Sequence, residues 1–507
     1  MLELSDLISR HARYRPDATA VVFEDARLTY RDFWARVARA GNLLRSLGIG
    51  PGDKVATVAA NSLELLEIYW AVPTIGATLV PLSPLLLSSG LASLIRGSDA
   101  RCVIAEASML PVLSAIEGDL PPDVLLIDGA TDAYRDYRAV AAAQPADLEP
   151  AAVGDDALFN IMFTSGTTGE PKGIMHTHFI RAMYATLMAN AFRVTPESRI
   201  LHTGSIVFNG AFVTLMPTFY LGATYILHRQ FDAARVMEAI ERERVTHTMM
   251  VPSQIVALLG SPAFDPVRLQ SLECVLSLGA PLLQRDKDRL NECLPGRLYE
   301  LYGLTEGFTT ILDREDAVRK SGSVGVPTPF FKVRILREDG QEAAPGEVGE
   351  IVGRGPIRMT GYYGRPDLTE QTVRDGWIHS GDVGYLDDDG FLYLVDRKKD
   401  MIDSGGVKVY PRDVEEIVAT HPDVQEVAVF GVPHDKWGET PVAAVVLRPG
   451  AAVSAAELRD WINERVNARY QRVSEVVLMA EFPRSAAGKT LKRELREPYW
   501  AARGRRI

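Results

Sequence analysis

An apolar run at 158–163, of strand character, leads directly into Thr164-Ser165-Gly166-Thr167-Thr168-Gly169-Glu170-Pro171-Lys172-Gly173. No other stretch limits the fold so closely. Gly166, Gly169 and Gly173 leave the main chain free to turn through positive φ and to approach a ligand. The hydroxyls of Thr164, Ser165, Thr167 and Thr168, with the N–H groups around them, then face one small space that suits a polyphosphate. Lys172 can add a positive charge there. The Gly-Lys-Ser/Thr of a Walker loop is absent. By composition alone, the same cluster serves equally well as a plain surface loop.

The flanking sequence alternates. Residues 31–47 carry apolar side chains at helical spacing (Phe33, Val37, Ala40, Leu43, Leu44), 54–59 read as a short apolar strand, 63–71 as a helix, 78–81 as extended, 92–95 as helical and 101–105 as extended again. Two more short apolar runs follow at 246–251 and 272–278. Such alternation implies βαβ units and a mostly parallel sheet, an α/β fold. After about residue 320 the texture changes to short β-type runs at 333–337, 349–352 and 391–395, separated by Gly, Pro and Asp turns. A charged cluster, Asp396-Arg397-Lys398-Lys399-Asp400, precedes a compact α+β unit. That unit has helices at 411–419 and 455–467 and strands at 426–431, 441–447 and 475–479. A chain of 507 residues is too long for one core, and about two to four structural units are expected.

The net charge of −11 argues against a nucleic-acid partner and against electrostatic docking on an anionic membrane. Cys102, Cys274 and Cys293 form neither a CxxC pair nor a zinc pattern, and three is too few for a disulfide framework. A reducing cytoplasm is the expected location. The opening residues have no basic stretch leading into an apolar one, so no secretory leader is expected. Residues 68–95 and 200–227 lack Asp, Glu, Lys and Arg, but Pro73, Pro81, Pro84 and Pro217 interrupt them. Buried strands and helices fit both stretches better than a membrane span.

Further motifs follow in order. Ser277-Leu278-Gly279-Ala280-Pro281 connects a strand to a helix. Tyr302-Gly303-Leu304-Thr305-Glu306 sets a carboxylate after a turn, in isolation an ordinary helix start. Trp377-Ile378-His379-Ser380-Gly381-Asp382 contains a Ser-Gly-Asp that is otherwise a common turn. Then come the charged cluster, Ser404-Gly405-Gly406, Tyr410-Pro411, Trp437-Gly438-Glu439 and Pro483-Arg484-Ser485-Ala486-Ala487-Gly488-Lys489.

Taken with the phosphate loop, this ordered set resembles the adenylate-forming superfamily of acyl-CoA synthetases, luciferase and peptide-synthetase adenylation domains, over nearly the whole chain. The resemblance implies a large N-terminal domain at 1–397, with αβαβα-type sheets and a β-barrel-like subdomain at about 320–395. A small, mobile α+β domain at 398–507 would rotate about a hinge near Lys399. It also implies roles for single residues. Glu306 helps hold Mg²⁺, Thr305 contacts a nucleotide phosphate, and Tyr302 and Gly303 belong to the same motif. Gly279, Ala280 and Pro281 carry the adenine, and Asp382 and Arg397 reach the ribose. Ser404, Gly405 and Gly406 line a thiol tunnel, and Trp437 belongs to a second small-domain motif. Lys489 bridges the acid's carboxylate and the α-phosphate.

The chain departs from the family where a Phe-His pair is usual. Counting back from Gly222-Ala223-Thr224, that histidine falls near Val207, in a segment reading Val207-Phe208-Asn209-Gly210. Leu278 and Leu301 stand where ligases for aromatic acids tend to have glycine, and Leu304 lies beside them. An apolar pocket follows, for a fatty, alicyclic or terpenoid-like acid rather than an amino acid. The expected activity is ATP-dependent acid–CoA ligation with ATP, Mg²⁺ and coenzyme A. The alternatives are an enzyme that loads a separate carrier protein, a luciferase-like oxidase, a non-catalytic nucleotide binder, or a chain that performs only one half-reaction. The oligomeric state stays open, a homodimer included.

Overall fold

The structure is a computed structural model that describes residues 4–164, 172–397, 400–404, 407–485 and 488–501. Two large sheets dominate. The first has seven strands in the order Arg135–Asp136, Asp123–Leu126, Ala100–Ala105, Lys54–Val58, Thr78–Leu82, Leu158–Thr164, Lys172–Thr177. All pair in parallel except the last two, which form the antiparallel hairpin around the phosphate loop. The second has nine strands, with Leu298–Leu304, Cys274–Leu278, His247–Met250, Arg199–His202, Thr224–Leu227 and Thr19–Phe23 parallel at its centre and antiparallel strands at both edges.

Strands buried on both faces cannot alternate polar and apolar side chains, which is why 78–82 and 247–250 read as unbroken runs. The largest core lies between the two sheets, where the helices Tyr30–Ser46, Leu63–Thr74, His178–Ala191 and Phe212–Leu221 contribute Phe33, Trp70, Met188 and Phe219. Outer helices cover the remaining faces: Ser88–Ser98 on the first sheet, Ala233–Glu243 and Gln284–Cys293 on the second. This layering accounts for the charge-free stretches. Residues 68–95 and 200–227 are strands and helices packed in these layers, and no helix among the described residues is long and apolar enough to cross a membrane.

A five-stranded antiparallel sheet follows, built on Lys332–Leu336, Gly349–Arg354 and Trp377–Leu386, with Val373–Arg374 and Leu392–Arg397 both paired to the last. The Ser-Gly-Asp segment, otherwise a common turn, lies inside the strand Trp377–Leu386. A register shift opposite Glu350 and Val352, with Gly381 at φ 70°, absorbs its kink as a bulge. A second difference concerns Thr305 and Glu306. They do not start a helix but form the tip of a hairpin between Leu298–Leu304 and Phe308–Leu312. Gly307, at φ 112°, makes that tip possible, because a Cβ there would collide with the Ile357 carbonyl.

The smaller C-terminal domain holds its own sheet: Val407–Val409, Ile402–Ser404, Gly438–Leu447, Val424–His434, and Glu475–Met479 parallel to Gly438–Leu447. Val414 and Val418 of helix Pro411–Ala419 pack on one face with Leu458 and Ile462, and Phe482 and Leu495 cover the other. Helix Ala455–Arg465 starts at a capping box between Ser454 and Glu457 and ends two residues before the expected 467.

Candidate active site

The phosphate loop leaves the first sheet between Thr164 and Lys172, which face each other at the open end of the hairpin. Ser165, Gly166, Thr167, Thr168 and Gly169 lie outside the described residues, as does the side chain of Thr164. Lys172 is half-buried, its Nζ 5.2 Å above the ring of Tyr362. The Tyr362 hydroxyl donates to Glu306 Oε1 at 2.8 Å. Burial first, then the Glu306 charge, holds that phenol protonated far above its ordinary range. One tyrosine therefore sits between the cation beside the loop and the carboxylate of the hairpin tip. The tip is pinned by Met359 N, which donates to the Glu306 carbonyl at 2.7 Å. Tyr362 stood outside the sequence expectations, since nothing local marks it as a partner of Glu306.

A second group gathers at the C-terminal ends of the central strands. Gly279, Ala280 and Pro281 form an exposed turn after Cys274–Leu278, with Gly279 at φ 92°. Tyr302 OH donates to Asp382 Oδ2 at 2.8 Å. Asp382 pairs with Arg397 across the ladder, so the two residues expected at a ribose are neighbours; the Arg397 side chain is outside the description. Gly303 pairs with Thr309, where a Cβ would strike the Phe308 carbonyl.

Lys489 reaches this turn from the other domain. Its Cε lies 3.7 Å from where a Cβ on Gly279 would stand, and the Cβ position of Gly488 is 3.5 Å from Val251 Cγ2. The loop that carries Lys489 is closed on itself: Ser485 N donates to the Lys489 carbonyl at 2.8 Å and Lys489 N to Ser485 Oγ at 3.1 Å.

The expected acid-pocket residues converge. Leu278 and Leu301 are opposite in the parallel ladder, both half-buried, with Leu304 further along the same strand. Leu278 Cδ1 lies 3.1 Å from the Cβ position of Gly210, so a larger residue there would require the leucine to shift slightly. Val207 is buried and Phe208 half-buried against the same core. Asn209 is the polar exception, donating to Tyr184 OH at 3.0 Å.

The expected thiol-side residues form a separate corner. Ser404 pairs with Gly438, next to Trp437, which is half exposed with Lys436 Nζ 4.5 Å above its ring. Lys399, Gly405 and Gly406 lie outside the described residues. The two domains are joined by contacts that the sequence did not reveal. Arg285, on the helix after the Gly279 turn, donates to the main-chain carbonyls of Ala419 (2.5 Å), Val424 (2.9 Å) and Gln425 (2.5 Å). Lys408 pairs with Glu338 at 2.6 Å.

Among the described residues there is no cluster of three or more side chains able to enclose a metal. One carboxylate, Glu306, with an oxygen not taken by Tyr362, fits an ion held mainly by substrate phosphates, as Mg²⁺ usually is. A polar dish of about 660 Å³ lined by Arg244, Glu273, Arg297 and Arg314 lies at the opposite, N-terminal ends of the same strands.

Residues 8–363 match the family model described as AMP-binding enzyme, and 413–489 match the AMP-binding enzyme C-terminal domain. A feruloyl-CoA synthase of an Amycolatopsis species is 36% identical over 511 residues, covering 97% of this chain and 98% of that protein. The long-chain-fatty-acid–CoA ligase FadD13 of Mycobacterium tuberculosis is 36% identical over 484 residues, 94% of each chain. Among solved structures, ATP-bound MatB from Rhodopseudomonas palustris superposes with a TM-score of 0.90 at 28% identity, covering 98% of this chain and 99% of that one.

Proposed function

The chain belongs to the AMP-binding enzyme family, and on that premise we propose how its residues divide the work of an acid–CoA ligase. The enzyme uses ATP to activate a carboxylic acid as acyl-AMP and then passes the acyl group to the thiol of coenzyme A. A carboxylate oxygen attacks the α-phosphorus, the bond to the β-phosphate breaks, and pyrophosphate leaves. The thiol sulfur then attacks the acyl carbon, the bond to AMP breaks, and the thiol proton is lost.

The observation that carries the assignment of residues is the approach of Lys489 to the Gly279 turn. An ammonium at that point neutralises two anions that must meet, the carboxylate and the α-phosphate. Lys172 and the hydroxyls of 164–168 take the outer phosphates, and Thr305 adds a phosphate contact. Asp382 and Arg397 take the ribose, and Gly279, Ala280 and Pro281 the adenine. Glu306 is the residue that would hold Mg²⁺, which would supply charge neutralisation when bound with ATP. In the second step the 398–507 domain turns near Lys399. Lys489 withdraws, and Ser404, Gly405 and Gly406 with Trp437 come to the thiol's path.

Leu278, Leu301, Leu304, Val207 and Phe208 support an apolar acid, with Asn209 and Tyr184 offering one polar contact along the wall. Relatives named for a hydroxycinnamate and for long-chain fatty acids bracket that choice. A cytoplasmic enzyme fits the three unpaired cysteines. Loading of a carrier protein is the second reading.

The test is acid-dependent ATP–pyrophosphate exchange over aliphatic, aryl and polycyclic acids, with thioester formation followed in parallel. Exchange together with a CoA thioester supports the full ligase. Exchange with thioester only on a carrier protein would replace CoA as acceptor.

A further inference from the structure

Behind the Thr305–Glu306 tip runs a buried polar chain that none of the assignments above uses. Arg181, on helix His178–Ala191, and His176, on strand Lys172–Thr177, are both fully buried at 0% exposure. Arg181 Nε donates to Asn160 Oδ1 at 2.8 Å, and its Nη2 lies 3.1 Å from His176 Nδ1. On the other side of the ring, His176 Nε2 is 2.9 Å from the Thr305 carbonyl. A guanidinium has donors only, so Nδ1 must accept, and the ring's single hydrogen lies on Nε2, where it donates to Thr305. Burial, and then the neighbouring guanidinium, keeps the ring neutral.

The cation itself is unusual. Arg181 has no carboxylate partner among the described residues, and its Nη1 has no hydrogen-bond partner. Its charge rests on the faces of Phe212, 3.9 Å away, and Tyr184, 4.8 Å away. A buried cation without a counter-ion is expensive, and leucine would fill the space more cheaply. What the arginine provides is direction. Asn160 and His176 are cross-strand partners on the two strands that flank the phosphate loop, and Thr305 adjoins Glu306. The chain thus links three backbone segments by hydrogen bonds of fixed length.

We propose that His176 and Arg181 are positioning residues for adenylation: through the Thr305 carbonyl they hold the Glu306 tip in register with the strands that carry the phosphate loop. This rests on the reading that Thr305 and Glu306 serve the adenylation step. The thioester step, which needs neither pyrophosphate nor its metal, is insensitive to the pair.

His176→Leu removes both hydrogen bonds at similar volume, whereas His176→Gln keeps an acceptor for Arg181 and a donor for Thr305. Three readouts apply: pyrophosphate exchange, thioester formation from supplied acyl-adenylate, and calorimetric binding of a non-hydrolysable ATP analogue with and without Mg²⁺. His176→Leu should lower exchange by about tenfold or more, as small misplacements of reacting groups do. It should also weaken analogue binding in the presence of Mg²⁺ and leave thioester formation near wild type. His176→Gln should recover most of the loss. Equal losses in both half-reactions, unchanged exchange in His176→Leu, or no recovery in His176→Gln would overturn the proposal. If His176→Leu does not fold, Arg181→Met against Arg181→Lys repeats the comparison. If the wild-type chain shows no exchange with any acid, the functional reading fails, and the calorimetric comparison still decides the pair.

Discussion

Lys489 reaches its turn on a loop tied to itself, so its replacement should alter chemistry more than fold. Lys489→Ala is expected to lower pyrophosphate exchange by about 100-fold while leaving thioester formation from supplied acyl-adenylate within a few-fold of wild type. Normal exchange would remove Lys489 from the mechanism. Leu278 makes the opposite kind of prediction. Its Cδ1 lies beside Gly210, 3.1 Å from where a Cβ there would stand, so Leu278→Ala opens the wall. Bulkier acids should gain in kcat/KM relative to slender ones, at a stability cost of about 2 kcal/mol, the low end for a leucine only half buried. Rates over an acid series, with a melting curve, check both. Lys489, Glu306 and Asp382 could be singled out as candidates from the sequence because each stands within an ordered local motif. His176, Arg181 and Tyr362 were not. His176 meets Thr305 across 129 residues of chain, and no local pattern announces such a pairing.

At the scale of elements, the helix Gln284–Cys293 joins the turn at Gly279–Pro281 to the small domain through Arg285. Ala419 closes the helix Pro411–Ala419, so its carbonyl is one of the acceptors a helix end leaves open, and a cation there is favoured by the helix dipole as well. Arg285→Ala removes three donors and should weaken the posture in which Lys489 meets Gly279 by about 1–3 kcal/mol. Exchange should then slow while thioester formation holds or quickens, and an inter-domain distance probe should broaden. Slowing of both steps together would assign Arg285 to stability alone. Elements buried on both faces were readable as apolar runs. The antiparallel hairpins at Lys172–Thr177 and Phe308–Leu312 were less so. Their strands run back beside their own neighbours, a choice made by the tight tip at Gly307 and by contacts with 357–363 rather than by any period in the sequence.

The whole molecule carries a pH dependence set by rings in the inter-sheet core. His178 and His202 are fully buried, and burial lowers each from 6.5 to about 4. Neither ring nitrogen of His178 has a hydrogen-bond partner, and the ring meets Phe159 edge-on. The unfolded chain therefore takes up these protons first. The contribution of these two rings to stability is complete above pH 6.5, falls as the pH drops through the window from 6.5 to 4, and levels off below it. Each ring removes about 2 kcal/mol at pH 5 by linkage. Between pH 7 and pH 5 the denaturant midpoint of His178→Phe should move less towards instability than that of the wild type. A movement unchanged by the substitution would place the proton uptake elsewhere.

The Arg285 contact has one more property. All three acceptors belong to the main chain, so the contact is blind to which side chains stand at 419, 424 and 425. Mutations can accumulate on that face of the small domain, or the domain can be exchanged for a homologous one, and the grip survives wherever the backbone path is kept. A single arginine on the large domain thus acts as a standard fitting rather than a matched lock, and this contact, unlike the Lys408–Glu338 pair, can vary on one side without a compensating change on the other.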